Sequence, residues 1–367
     1  MTNRTTRNPR PPLVLAVAGA MVAALTLGAA ARPRVHKVSS ENPSGVATTL
    51  STRGPLDLQH PFFRSTGTNG RACSSCHDPA DGWTTTPARL QARFEASGGL
   101  DPVFRAHDGA NSPLADTSTV AARRTAYSML LQRGVFRIGL PIPEDAEFTL
   151  EHADDPYGYA GAAELSLFRR CLPATNLRFN STIMWDGRET HPGATLAQNL
   201  ASQAQGAHKG HSQGTVPLTD EEVAQIVDFE AGLFTAQTQS AVVGKLGKKA
   251  GPKSLTKTRF VEGMNSPFAG GKKSRFKPEV FNLFKSWRKL PKSAKGLKGN
   301  RRLIARGEQI FNGREFIVSD VPGFNDVIGS NNVVATCSTC HNVPNVGTLS
   351  LNLPMDIGVK RLFRRTP

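Results

Sequence analysis

Residues 71–83 read RACSSCHDPADGW and residues 335–347 read ATCSTCHNVPNVG, so Cys-x-x-Cys-His occurs twice in a chain of 367 residues. Two thiols three positions apart reach the two vinyl groups on one side of a porphyrin and form thioethers with them. The histidine directly after the second thiol is then held beneath the iron as its proximal ligand. On this reading Cys73, Cys76 and His77 hold one covalent c-type haem, and Cys337, Cys340 and His341 hold another. A zinc ribbon would bring its two cysteine pairs within about 15–20 residues of each other, whereas 260 residues lie between Cys76 and Cys337. A dithiol redox motif belongs beside a βαβ pattern and does not need the trailing histidine. The fifth cysteine, Cys171, reads as a buried, inert thiol.

Composition sets the frame around the motifs. Hydrophobic residues make up 38% of the chain and charged residues 20%, the balance of a soluble globular protein. Arg4, Arg7 and Arg10 precede an uncharged run from Leu13 to Ala31 that ends in small residues. That is the three-part pattern of a secretory signal, with a cut after Ala31. The alternative is an uncleaved anchor, since the run approaches the roughly 20 residues that span a bilayer. Export to the periplasm or beyond is therefore expected, with no stable membrane span after cleavage. It argues against a nucleic-acid partner despite the net charge of +16. Most of that charge lies between Lys245 and Arg306, where 19 Lys and Arg face two acids. Such a stretch either steers an anionic partner or forms a solvated Lys-rich loop.

Along the chain, residues 32–59 are rich in Ser, Thr and Pro and read as a linker. Residues 60–239 read as a mainly helical haem domain, 240–300 as a basic insertion and 301–367 as a second, smaller haem domain. ARLQARFEASGG (88–99) ends in a glycine helix stop. In LTDEEVAQIVDFEAGLF (218–234), Thr219 with Glu222 makes a capping box and Leu218 can staple onto Val223. Val223, Ile226, Val227 and Phe234 then share one face. RRLIARGEQIF (301–311) restores a helical pattern ahead of the second motif, and no long alternating strand pattern is evident.

The sixth ligands stay open. For the first haem the candidates are His60, His107, His152, His191, His208, His211 and Met129, with His208 and His211 foremost because QGAHKGHSQG (205–214) reads as a polar loop able to fold over an iron face. For the second, Met355 is the one candidate that follows the motif, only 14 residues beyond His341.

The two motifs, together with LLQRGVFRIGLPIP (130–143), IMWDGRE (183–189), LASQAQG (200–206), LTDEEVAQIVDFEAGLFTAQ (218–237) and GEQIFN (307–312), run in the order found in the bacterial di-haem cytochrome c peroxidases, a family this chain resembles. Its broader relatives include the di-haem enzyme that matures the methylamine dehydrogenase cofactor. The resemblance implies a mainly α fold of two cytochrome-c-like haem domains, the second incomplete. It implies reduction of hydrogen peroxide at the N-terminal haem, with electrons taken from a small donor protein (a cytochrome c or a copper protein) and relayed through the C-terminal haem. It also implies a calcium ion, which falls on no residue that can be named. Trp185 matches a tryptophan between the haems, and Gln203 the glutamine that acts on peroxide. The family's loop glutamate has no counterpart, because no acid occurs from Thr190 until Asp220. His208 or His211 either takes over the acid–base work or ligates the iron. With 26 residues after His341, the second haem is expected to be poorly enclosed, as in a shortened family member. A non-enzymatic di-haem electron carrier, and a di-haem oxidase of an organic or protein substrate, remain the alternatives.

Overall fold

The computed structural model describes residues 36–146, 149–267, 276–348 and Met355. The expected secretory segment, residues 1–31, lies outside the described residues. Among the described residues no helix is long and apolar enough to cross a membrane.

The chain is not mainly α. It is 32% helical and 16% strand, and the strands begin in the expected linker. Strands β1 (His36–Asn42) and β2 (Gly45–Ser51) form a hairpin, and β2 pairs antiparallel with β5 (Leu233–Ser240), which in turn pairs with β6 (Gly244–Lys245). Two further antiparallel ribbons join β3 (Val135–Leu140) to β4 (Leu165–Arg170) and β7 (Phe316–Ser319) to β8 (Asn332–Ala335). The polar look of GVATTLS misleads because its hydroxyls are paired with one another. Thr48 and Thr49 are buried, and they hydrogen-bond Thr238 at 2.9 Å and Thr235 at 2.8 Å across the sheet. β-branched residues whose hydroxyls are satisfied suit a covered strand as well as apolar ones.

The helices are α1 (Pro87–Ser97), α2 (Val120–Ala126), α3 (Ser128–Arg133), α4 (Leu196–His211), α5 (Asp220–Ala231), α6 (Pro252–Leu255), α7 (Gly296–Gly313), α8 (Asn325–Ile328) and α9 (Cys337–Cys340). Helix α1 stops at Gly98, whose φ of 60° only glycine adopts freely. Helix α5 begins as expected: the Thr219 hydroxyl accepts from the Glu222 amide, and the Glu222 carboxylate accepts from the Thr219 amide. It ends at Ala231, so Phe234 belongs to β5 rather than to the helix face. The expected 205–214 loop is also helix, since α4 runs from the Thr195–Gln198 capping box through His211. Its Leu, Ala and Gln residues are good helix formers and carry the pattern through Gly206 and Gly210.

Two apolar clusters meet at the first cysteine pair. One gathers Leu90, Phe94, Phe104, Tyr127 and Leu130, with Cys76 packed on it. The other gathers Phe62, Trp83, Leu218, Ile226, Phe229 and Leu233, with Cys73 packed on it. Trp83 is fully buried, and its indole N–H donates to the Thr49 hydroxyl at 2.9 Å. The sheet and the motif loop are thus tied together. Thr49→Val leaves that buried N–H without an acceptor and is expected to lower stability by about 1–3 kcal/mol in urea denaturation. A loss under about 0.5 kcal/mol would show that the tie does not matter.

Candidate functional site

The two motifs adopt the same local geometry. In the first, the Ser75 hydroxyl accepts from the Ala72 amide at 3.0 Å; in the second, the Thr339 hydroxyl accepts from the Thr336 amide at 2.9 Å. The histidine amide bonds back to the first cysteine's carbonyl in both, at 3.0 Å. The ring of His77 places Nδ1 2.9 Å from the Trp83 carbonyl oxygen, and that of His341 places Nδ1 2.8 Å from the Gly347 carbonyl oxygen. A carbonyl can only accept, so in each ring Nδ1 carries the proton and Nε2 keeps its lone pair for a metal. This is the outer-shell bond that fixes a ligating histidine's tautomer and angle.

The surroundings of the two differ. Cys73, Cys76 and His77 line a cavity of about 430 Å³. Its apolar walls come from β3, α4 and α5, through Ile138, Leu200 and Ile226 among others. Arg170 lines it as a cation suited to a porphyrin carboxylate, while Arg169 and Arg188, also in its wall, are paired with Asp186. The residues present therefore fit a covalently held haem. Cys171 is not remote from this chemistry: its Sγ lies 3.6 Å from both ring nitrogens of His77. Burial pushes the thiols of Cys73, Cys76 and Cys171 each up to about 12.

His341, in contrast, is exposed. Its motif is backed by the basic stretch, which is not merely a solvated loop. Asn265 donates to the Asn342 carbonyl at 3.0 Å, the Asn345 amide donates to the Val280 carbonyl at 3.0 Å, and Phe311 stands between Phe281 and His341. Beyond Thr348 only Met355 is described, and it is half-buried. Among the described residues no group of three or more His, Cys, Asp or Glu converges on a metal-ion position.

Of the seven sixth-ligand candidates for the first site, only His208 and His211 line the cavity. They differ in what their rings have left to offer. His208 is buried, with Nε2 2.9 Å from the Val216 carbonyl and Nδ1 2.9 Å from the Thr66 hydroxyl. Nε2–H donates and Nδ1 accepts, so no lone pair remains. Gly214 presses on the ring so closely that a Cβ there would meet it. His211 donates from Nδ1 to Asp108 Oδ2 at 2.8 Å, and among the described residues its Nε2 has no hydrogen-bond partner. Asp108 is held in turn by Arg71 at 2.5 Å, and both are buried. Burial alone would raise the Asp108 carboxyl, but the neighbouring His107, His211 and Arg71 outweigh it and hold the group well below the usual carboxylate range. The result is an ionised carboxylate orienting a histidine whose free nitrogen is available to the cavity.

Gln203 lines the same cavity from α4. Trp185 lies at its edge, 59% exposed, with its indole N–H donating to the Arg170 carbonyl at 2.9 Å. Sequence reasoning missed Asp108 and Arg71, and it missed Glu189 and Met184, which flank the Trp185 turn. Met184 lines the cavity at a φ of 72°, a conformation that strains a non-glycine residue. It also missed Glu230, on α5 near His77. Asp108 carries no signal in sequence, since it lies in a loop 31 positions beyond His77. Glu230 could have been found from its place among the apolar positions of α5.

Glu230 is buried, its Oε2 has no partner, and burial pushes its carboxyl up to about 7, against a smaller opposing pull from His77. The unfolded chain ionises this group from about pH 4.5, while the folded chain keeps it neutral to about 7. Folding therefore holds the extra proton in that window, and stability falls as pH rises from 4.5 to 7, by at most about 3 kcal/mol. Thermal melts of the cofactor-free chain across this window are expected to show the decline, and Glu230→Gln is expected to flatten it.

Comparison with protein-family models, with curated proteins and with solved structures finds no match for this chain. The functional reading thus rests on the residues and geometry above.

Proposed function

We propose that this chain is a c-type haem redox protein that holds two haems, on Cys73, Cys76 and His77 and on Cys337, Cys340 and His341, and reduces hydrogen peroxide at the first. The observation that carries the reading is the pair His211–Asp108 beside a cavity lined by a complete attachment motif. A haem held there supplies redox-active iron for the two-electron reduction of peroxide to two waters.

The chain's own groups do the rest. Peroxide must shift a proton from its near oxygen to its far oxygen before the O–O bond can part as water. His211 Nε2 takes that proton and returns it, and Asp108 stabilises the ring while it is charged. Gln203 donates a hydrogen bond that orients the peroxide. The apolar walls limit water, which strengthens these interactions. Electrons come from a small donor protein, with Trp185 serving as the relay that the resemblance implies. A non-enzymatic electron carrier is the second reading. Met184 favours it, because a thioether lining the cavity could close the iron's open side.

Intact mass is expected to show two haems on the chain; zinc or free thiols would sink the reading. His211→Ala is then expected to slow peroxide consumption about 10²–10⁴-fold with an unchanged absorption spectrum. His208→Ala is expected to lower the melting temperature instead. A change of spin state in His211→Ala or Met184→Leu would make that residue a ligand and leave the carrier reading standing.

A further inference from the structure

A second chamber, of about 480 Å³, adjoins the first, and Ile138, Met184, Arg188, Gln203, Ala207 and His211 line both. It is the size of a small-molecule site. One wall is the face of α4 that carries Gly206 and Gly210, so no side chain fills the space there; a Cβ at Gly210 would meet nothing within 4 Å. Leu140, Pro113 and Tyr159 add apolar and aromatic surface.

The polar groups of this chamber are incompletely satisfied. Asp108 and Arg137 are 5% and 3% exposed, and Asp108 Oδ1 and Arg137 Nε have no hydrogen-bond partner. Glu189 Oε2 has none either. Buried polar groups are seldom left unpaired without a reason, and a bound ligand is one such reason. The charges narrow the ligand. Arg137 is already paired with Glu164 at 2.7 Å and Arg188 with Asp186 at 2.9 Å, so neither cation is free to hold an anion. The unmet atoms are two carboxylate acceptors, with His191 Nε2 3.6 Å from the Glu189 one, the Arg137 donor, and His107 Nε2. This last nitrogen lies 3.3 Å from Asp108 Oδ2 and can give or accept. The occupant should carry hydroxyl hydrogens to give, little negative charge and an apolar body.

We propose that this chamber binds a small hydroxylated aromatic molecule, a dihydroxybenzene, beside the cavity of the first motif. Its hydroxyls donate to the carboxylates of Asp108 and Glu189, and its ring lies on Ile138 and the glycine face of α4. The role rests on the peroxide reading: such a molecule is a reducing co-substrate. Losing two O–H hydrogens, it gives up two electrons and two protons and becomes a quinone. One peroxide takes up the same two electrons and two protons to become two waters.

Calorimetric titration of the haem-loaded protein with 1,4-dihydroxybenzene, without peroxide, tests the site. The expected result is saturable binding at one site, weakened at least tenfold by Gly210→Leu, which fills the chamber. Leucine is the better helix residue at that position, so the variant should melt no lower than the parent. Glu189→Gln is expected to weaken binding by a smaller factor, and benzoate is expected not to bind. Equal binding in Gly210→Leu, or benzoate binding as tightly, would overturn the site. The two readings fail separately. Peroxide turnover with a protein donor but no dihydroxybenzene binding removes the chamber alone; binding without peroxide turnover removes the peroxidase reading and leaves the chamber as a binding site.

Discussion

The bond from His77 Nδ1 to the Trp83 carbonyl oxygen is the point on which the rest of this structure depends. The same oxygen also accepts from the Ala174 amide at 2.9 Å. Trp83 reaches the sheet through its indole N–H and fills the core with its ring, against Phe62 and Phe229. It does this with a φ of 66°, which costs a bulky residue on the order of 1–3 kcal/mol. The conformation persists because four separate contacts require it. Moving Trp83 would release the histidine, the sheet, the Ala174 amide and the aromatic cluster together.

Around that point, similar carboxylic acids are pushed in opposite directions. Asp108 and Glu230 are both buried, yet Asp108 stays ionised and Glu230 stays neutral up to about pH 7. The difference lies in their partners. Arg71 and two histidines surround Asp108, whereas Glu230 lies in apolar surroundings with an oxygen that meets no donor. A neutral acid in the first chamber and a charged one in the second give two adjoining chambers distinct protonic environments. Environments of this kind are how one pocket holds and moves protons at the same pH.

The sequence disclosed the parts whose logic is local. The Thr219–Glu222 cap and the Gly98 stop depend on residues within a few positions of one another, and each stands where it was expected. The parts that depend on distant partners were hidden. The hairpin at 36–51 reads as polar linker until Thr235 and Thr238 arrive to satisfy its hydroxyls. The choice between His208 and His211 was undecidable from QGAHKGHSQG, because Val216, Thr66 and Asp108 make the difference. The stretch from Thr190 to Asp220 holds no acid before Asp220 itself, and the acids near the motif come from elsewhere in the chain: Glu230 lines the first chamber, Asp108 and Glu189 the second.

The pairing of β2 with β5 also fixes an order of events in the protein's making. Strand β2 leaves the ribosome, or a translocation channel, more than 180 residues before β5 follows it. Until then Thr49 lacks its cross-strand partner, and the cluster around Trp83 and Cys73 lacks Leu233. Once the sheet closes, Cys73 and Cys76 are half-buried and desolvation pushes both thiols up, which lowers the share of reactive thiolate. The side chains of the first motif are thus most open to reagents in the interval before residue 233 arrives, and the sheet is the latch that closes over them.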